Sequence, residues 1–133
     1  MDITVSEQAK QFYLALKEEW RPVVGHEIKV GKYRFCVVPM TDMVNVSEVT
    51  TGCKVSNIPM SPEIMIATST KEDSIKWFHK VGESILRIIE NTDNFDEMLT
   101  LMKSMAYERL GEMPPVKDID THWVFADTSD VLN

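Results

Sequence analysis

Three groups of residues in this chain have types and spacings that could do chemistry. The first is Asp118-Ile119-Asp120-Thr121-His122. In an extended segment side chains alternate, so Asp118, Asp120 and His122 would share one face and Ile119, Thr121 and Trp123 the other. Two carboxylates and an imidazole are oxygen and nitrogen donors suited to a divalent ion. The same alternation describes a strand with one wet and one dry side, and a metal centre also needs ligands and support from elsewhere in the chain. The plainer reading is the stronger, and no metal or other cofactor is expected.

The second group is Lys29, Lys32 and Arg34, which lie beside Tyr33 and Phe35. Basic and aromatic residues together on a sheet can bind a single-stranded nucleic acid by backbone attraction and base stacking. Alternation, however, turns Tyr33 and Phe35 away from Arg34. The chain also carries a net charge of −7, opposite to the usual nucleic-acid footprint. Nucleic acid is not the expected partner.

The third group is Met98, Met102 and Met105, three of nine methionines, spaced i, i+4, i+7 for one side of a helix. Methionine fills irregular core gaps, and the same flexible thioether suits an adaptable contact surface. Both readings fit the spacing. No catalytic residue emerges from the remainder. His79 stands one turn from Glu83, where a carboxylate could orient a general base, but a helix-boundary histidine needs no such role. His26 has no evident partner. Cys53 has only Lys54 as a basic neighbour, which gives its thiolate little support. Most Ser and Thr residues stand at caps and turns, and the isolated Gly31, Gly52 and Gly82 form no phosphate-binding loop.

The element that must position these residues is a helix over Ser69–Glu90. Ile75, Trp77, Phe78, Val81, Ile85, Leu86, Ile88 and Ile89 fall on one side of it at about 100° per residue. Lys76, His79, Lys80, Glu83, Arg87 and Glu90 take the other, so the apolar side must be buried. Ser69 with Glu72, or Thr70 with Asp73, supplies an N-terminal cap. Gly82 lies inside the apolar arc, which predicts a close neighbour there.

Earlier in the chain, Thr4 and Glu7 could cap a first helix over Val5–Arg21, with Ala9, Phe12, Tyr13, Leu16 and Trp20 as a narrow stripe ended by Pro22. Leu14 lies off that stripe. Glu27–Val30 and Tyr33–Val38 read as a hairpin around Gly31-Lys32. Met43–Val49 and Cys53–Ile58 read as another around Thr50-Thr51-Gly52. Glu63–Thr68 reads as a strand buried on both faces. A third helix runs from about Asn94 to Leu110, stopped by Gly111 and Pro114-Pro115. Strands clustered between helices predict an α+β fold. Its expected form is an antiparallel meander of four to five strands, packed with an N-terminal helix and two C-terminal helices.

At 133 residues, 44% hydrophobic and 26% charged, the chain can bury a core of its own. One domain over 1–115 is expected, with the acidic stretch 116–133 packed on it through Trp123-Val124-Phe125. No apolar run approaches the roughly 20 residues that cross a membrane. The N-terminus lacks the basic-then-apolar order of a signal peptide, and Cys36 and Cys53 read as small thiols. A cytosolic location without a membrane partner is the expectation.

The segments VNVSEVTTGCKV and TSTKEDSIKWFHKV, within Val44–Val81, resemble a pattern in small accessory proteins of bacteriophages and prophages. There, a strand and a Thr-Gly turn lead through a second strand into a helix opened by Thr-Lys and acidic residues. The resemblance carries no catalytic residue across. It implies a class of short cytosolic proteins, some of which inhibit or modulate host machinery. Together these readings predict a non-enzymatic protein-binding protein, regulatory or inhibitory, that forms a homodimer through helix surface or a sheet edge. The alternative is a small-ligand binder or enzyme with a pocket between sheet and helices.

Overall fold

A computed structural model describes residues 1–118 of the chain. It has the α+β class, built on one antiparallel sheet. The strands are β1 (Ile3–Ala15), β2 (Trp20–Val30), β3 (Tyr33–Pro39), β4 (Met43–Glu48), β5 (Lys54–Pro59) and β6 (Lys117–Asp118), in the spatial order β5-β4-β3-β2-β1-β6. The helices are α1 (Pro62–Ala67), α2 (Lys71–Asn91) and α3 (Phe95–Leu110).

The sheet has six strands where four to five were expected, and two expected elements are corrected. There is no N-terminal helix, because Val5–Arg21 lies in the β1–β2 hairpin, paired from Ile3↔Val30 to Ala15↔Trp20. A helix would have buried Ala9, Phe12 and Tyr13 and left Leu14 off the stripe. In β1 Phe12 and Leu14 are both buried on one face. The second correction is Glu63–Thr68, which is not a strand but most of α1. Ser61 caps it by accepting a hydrogen bond from the Ile64 amide at 3.2 Å, and Pro62 and Glu63 occupy the first turn. Proline at the first helical position and an acid beside the exposed amides both favour a helix start. Met65 and Ile66 consequently face outward rather than into a core.

The other elements keep their expected places. Gly31 has φ +60° in the β2–β3 turn, a conformation glycine adopts without steric cost. The α2 cap is the Thr70–Asp73 one, with the Asp73 amide donating to Thr70 Oγ1 at 3.1 Å. Phe78, Val81, Ile85 and Ile89 are buried against Ile28, Val30, Phe35, Val37, Val44 and Val46 of the sheet, and Ile75 packs at the margin. The neighbour pressing on Gly82 is the Ile3 side chain of β1. A Cβ at Gly82 would lie 2.5 Å from Ile3 Cγ2.

The sheet's opposite face holds a second core of Phe12, Leu14, Cys36, Val38 and Val49. Among the described residues no helix contributes to it; Leu16, Val23 and Val116 pack at its margin, and the sheet curves around it. The Ala15 amide donates to the Gly52 carbonyl at 2.8 Å, joining β1 to the β4–β5 turn. On a flat sheet three strand spacings, roughly 14 Å, would separate β1 from β4. The long β1–β2 hairpin therefore curls over the face. An irregularity between Val5 and Ala9 is the kind of feature that bends a strand. Gly52 has φ +69°, and a Cβ there would meet the Trp20 ring and the Tyr13 carbonyl at 2.8 Å. Only glycine lets the turn come this close.

Candidate functional site

The first cluster of polar side chains follows from the β2–β3 hairpin register. Lys29 stands opposite Arg34 and Glu27 opposite Cys36, so Glu27 and Arg34 are diagonal neighbours on one face. The Glu27 carboxylate, almost wholly buried, accepts from Arg34 Nε at 3.1 Å and from its Nη2 at 2.9 Å. Lys10 Nζ from β1 approaches to 3.6 Å. Burial pushes the Glu27 carboxyl up, but the Arg34 hydrogen bonds and charge, with Lys10 and Lys29 behind them, hold it below its ordinary value. Arg34 is correspondingly raised by its hydrogen bonds to Glu27.

A lowered folded-state pKa means that the ionised carboxylate stabilises the fold above its ordinary value of 4.5. That contribution disappears as pH falls through the lowered value. Stability should therefore decline below about pH 4.5, and less steeply in Glu27→Gln, as read by urea denaturation along a pH series. Arg34→Ala leaves the buried carboxylate without its main partner and should cost about 2–3 kcal/mol at pH 7.

A second cluster lines an open groove of about 370 Å³ between the start of β3, the β4–β5 turn and α3. Lys32 Nζ meets Asp96 Oδ2 at 3.0 Å, and Tyr33 donates its hydroxyl to Asp96 Oδ1 at 2.8 Å. The two hydrogen bonds, Lys32 first, hold the Asp96 carboxyl below its usual range. Glu48, buried at the groove's base, accepts from the amides of Thr50 and Thr51 at 3.0 and 2.8 Å and from Thr50 Oγ1 at 2.7 Å. Lys103 lies over the Tyr107 ring, 5.3 Å from its centroid. These charges already have partners within the fold. Among the described residues no buried side-chain nitrogen or oxygen lacks a hydrogen-bond partner.

The basic residues of the first hairpin are thus largely engaged. Lys32 pairs with Asp96 and Arg34 with Glu27, while Lys29 is exposed. Phe35 is fully buried, and the Tyr33 ring stands edge-on to Phe95 with centroids 4.9 Å apart. Asp118 is exposed in β6 opposite Lys10, whereas Asp120 and His122 lie outside the described residues. Among the described residues no group of three or more His, Cys, Asp or Glu is placed to hold a metal. His79 Nδ1 is 3.6 Å from Glu83 Oε1, both side chains half exposed on the outer side of α2. His26 packs on the Phe78 ring, and burial lowers its pKa. Burial raises the Cys36 thiol to about 12. Cys53 donates its thiol to the Thr51 carbonyl at 3.6 Å.

The third cluster is α3 itself. Of its sixteen residues only Phe95 and Ala106 are buried. Met98 and Leu99 pack on the margin of the main core, and Met102 is half-buried. Met105 is 56% exposed, and Leu101, one turn before it, is 61% exposed. The far end of the helix is latched to the β1–β2 hairpin. Arg109 donates to the Leu16 carbonyl at 3.0 Å, the Trp20 indole donates to the Gly111 carbonyl at 3.3 Å, and Trp20 meets Tyr107 edge-on. The helix is fixed at both ends with an apolar pair facing out between them. Leu101 was not singled out by the methionine spacing. Its signal is its place, with Met105, at one edge of an apolar arc that spans about half the circumference of α3 at about 100° per residue, wider than the sheet covers.

No family model, curated protein or solved structure matches the chain. Among the described residues, no helix is long and apolar enough to cross a membrane.

Proposed function

We propose that this chain is a non-enzymatic binding protein that contacts another protein through the outer side of α3. The observation that carries the reading is the exposed pair Leu101 and Met105, held outward on a helix anchored at both ends. Water around apolar side chains is released when a partner covers them, at about 25 cal/mol per Å². Met98 and Met102, at the margin of the pair, can adjust to an irregular partner surface because thioether chains are flexible. The paired charges of the groove favour this reading over a small-ligand or enzymatic one, since a ligand site normally presents polar groups that converge on an empty space. The self-complementary form of such a contact is a two-fold homodimer. A heterologous partner would make the chain one of the short accessory proteins that modulate host machinery.

The test is a comparison of the unaltered chain with Leu101→Ser/Met105→Ser. Both sites are exposed, so the double variant should keep the unaltered melting temperature within a few degrees. It should lose the protein that the unaltered chain retains from an extract of its native host. Equal retention by both chains would remove α3 as the contact surface.

A further inference from the structure

Glu97, Leu101, Met105 and Arg109 follow one another along α3 at a constant spacing of i, i+4. Residues at that spacing lie one above the other on a helix, so the four make one continuous row, about 18 Å long. All four are exposed. The row reads acid, apolar, apolar, base, and reversed it is complementary to itself. Arg109 is held at its end of the row by the hydrogen bond to the Leu16 carbonyl, and a guanidinium carries more N–H donors than that one carbonyl takes.

We propose that the partner of this surface is a second copy of the chain, docked α3 against α3 in antiparallel register about a two-fold axis at Lys103. The proposal rests on the reading of α3 as the contact surface and adds the partner and the register. In a two-fold contact residue i meets j and j meets i. With the axis at position 103, Leu101 of each copy meets Met105 of the other, and Glu97 of each copy meets Arg109 of the other. Rows of i, i+4 residues interdigitate when two helices cross at about 50°, which lays the two rows side by side. The apolar pairs are covered at the centre and an ion pair closes each end. Charge sets the direction. A parallel contact would bring Glu97 onto Glu97 and Arg109 onto Arg109, and like charges set against each other weaken binding.

Charge reversal, read as oligomeric mass by light scattering over a dilution series, tests the register. Glu97→Arg sets like charges at both ends of the antiparallel contact and should raise the dimer dissociation constant about tenfold. It leaves the Arg109–Leu16 hydrogen bond in place, and its melting temperature should stay within a few degrees of the unaltered chain's. Arg109→Glu should weaken the dimer to a similar extent. An equimolar mixture of the two variants restores opposite charges at both ends, and its dissociation constant should return to within about threefold of the unaltered value. Dimerisation of Glu97→Arg as tight as that of the unaltered chain, or a mixture no tighter than its components, would overturn the register. In that event a Leu101→Ser/Met105→Ser chain that stays at the single-chain mass keeps α3 as the contact surface, whereas one that dimerises removes both readings. A single-chain mass for the unaltered protein at every concentration would overturn the second copy as partner.

Discussion

Replacing Phe12 by alanine is expected to destabilise the fold by about 3–5 kcal/mol, as measured by urea denaturation. Phe12 is 1% exposed, enclosed between the sheet and the curled β1–β2 hairpin with Leu14, Cys36, Val38 and Val49. The cost has two physical parts, the lost transfer of the ring from water and the cavity left behind. Among the described residues no helix covers this side of the sheet, and a collapse of the hairpin into the cavity would strain contacts such as Ala15–Gly52. Leu14→Ala sharpens the test, with an expected loss of about 2–5 kcal/mol. In a helix over 5–21 Leu14 would lie off the apolar stripe, and its truncation would cost little. A large loss at both positions is the signature of a strand.

The second large effect is expected at Ile85, where truncation to alanine should cost about 2–5 kcal/mol. Ile85 is 1% exposed at the centre of the α2–sheet interface. It touches neither the groove nor the outer side of α3, so partner retention by the surviving folded fraction should be unaltered. A denaturation midpoint equal to that of the unaltered chain would place α2 outside the core.

The contrast between α2 and β1 explains what the sequence makes legible. α2 combines an apolar period of 3.6, a cap at Thr70 and a stop near Asn91, so local preference and tertiary burial agree. The two hairpins of β2–β3 and β4–β5 are marked by Gly31 and Gly52 and by β-branched residues. In β1, Glu7, Gln8, Ala9, Lys10 and Gln11 all favour a helix locally, and Ala9, Phe12, Tyr13, Leu16 and Trp20 happen to fit a helical stripe. Pairing along the whole of β2 overrides that preference. The strand's own signal is the alternation through Phe12, Leu14 and Leu16, of which a helical stripe leaves out Leu14. α1 was hidden in the opposite way. Its apolar run Ile64-Met65-Ile66 looks like a buried strand, while Ser61-Pro62-Glu63 is a helix start.

Legibility of the candidate site divides along the same line. The Glu27–Arg34 pair follows from the Gly31-Lys32 turn, since that register sets the two side chains diagonally on one face. The pairing of Lys32 and Tyr33 with Asp96 does not, because it depends on how α3 docks 63 residues or more away in sequence. The outward position of Leu101 has the same origin. A helix whose apolar arc spans about half its circumference does not declare which edge of that arc the sheet will leave uncovered.

Oligomeric mass measured by light scattering across a hundred-fold dilution range tests the central claim most directly. The unaltered chain should approach twice its 15.2 kDa mass at the highest concentration and dissociate on dilution. Leu101→Ser/Met105→Ser should remain at the single-chain mass throughout. A single-chain mass for the unaltered protein at the highest concentration, or a dimer that the double variant leaves intact, would contradict self-association through α3.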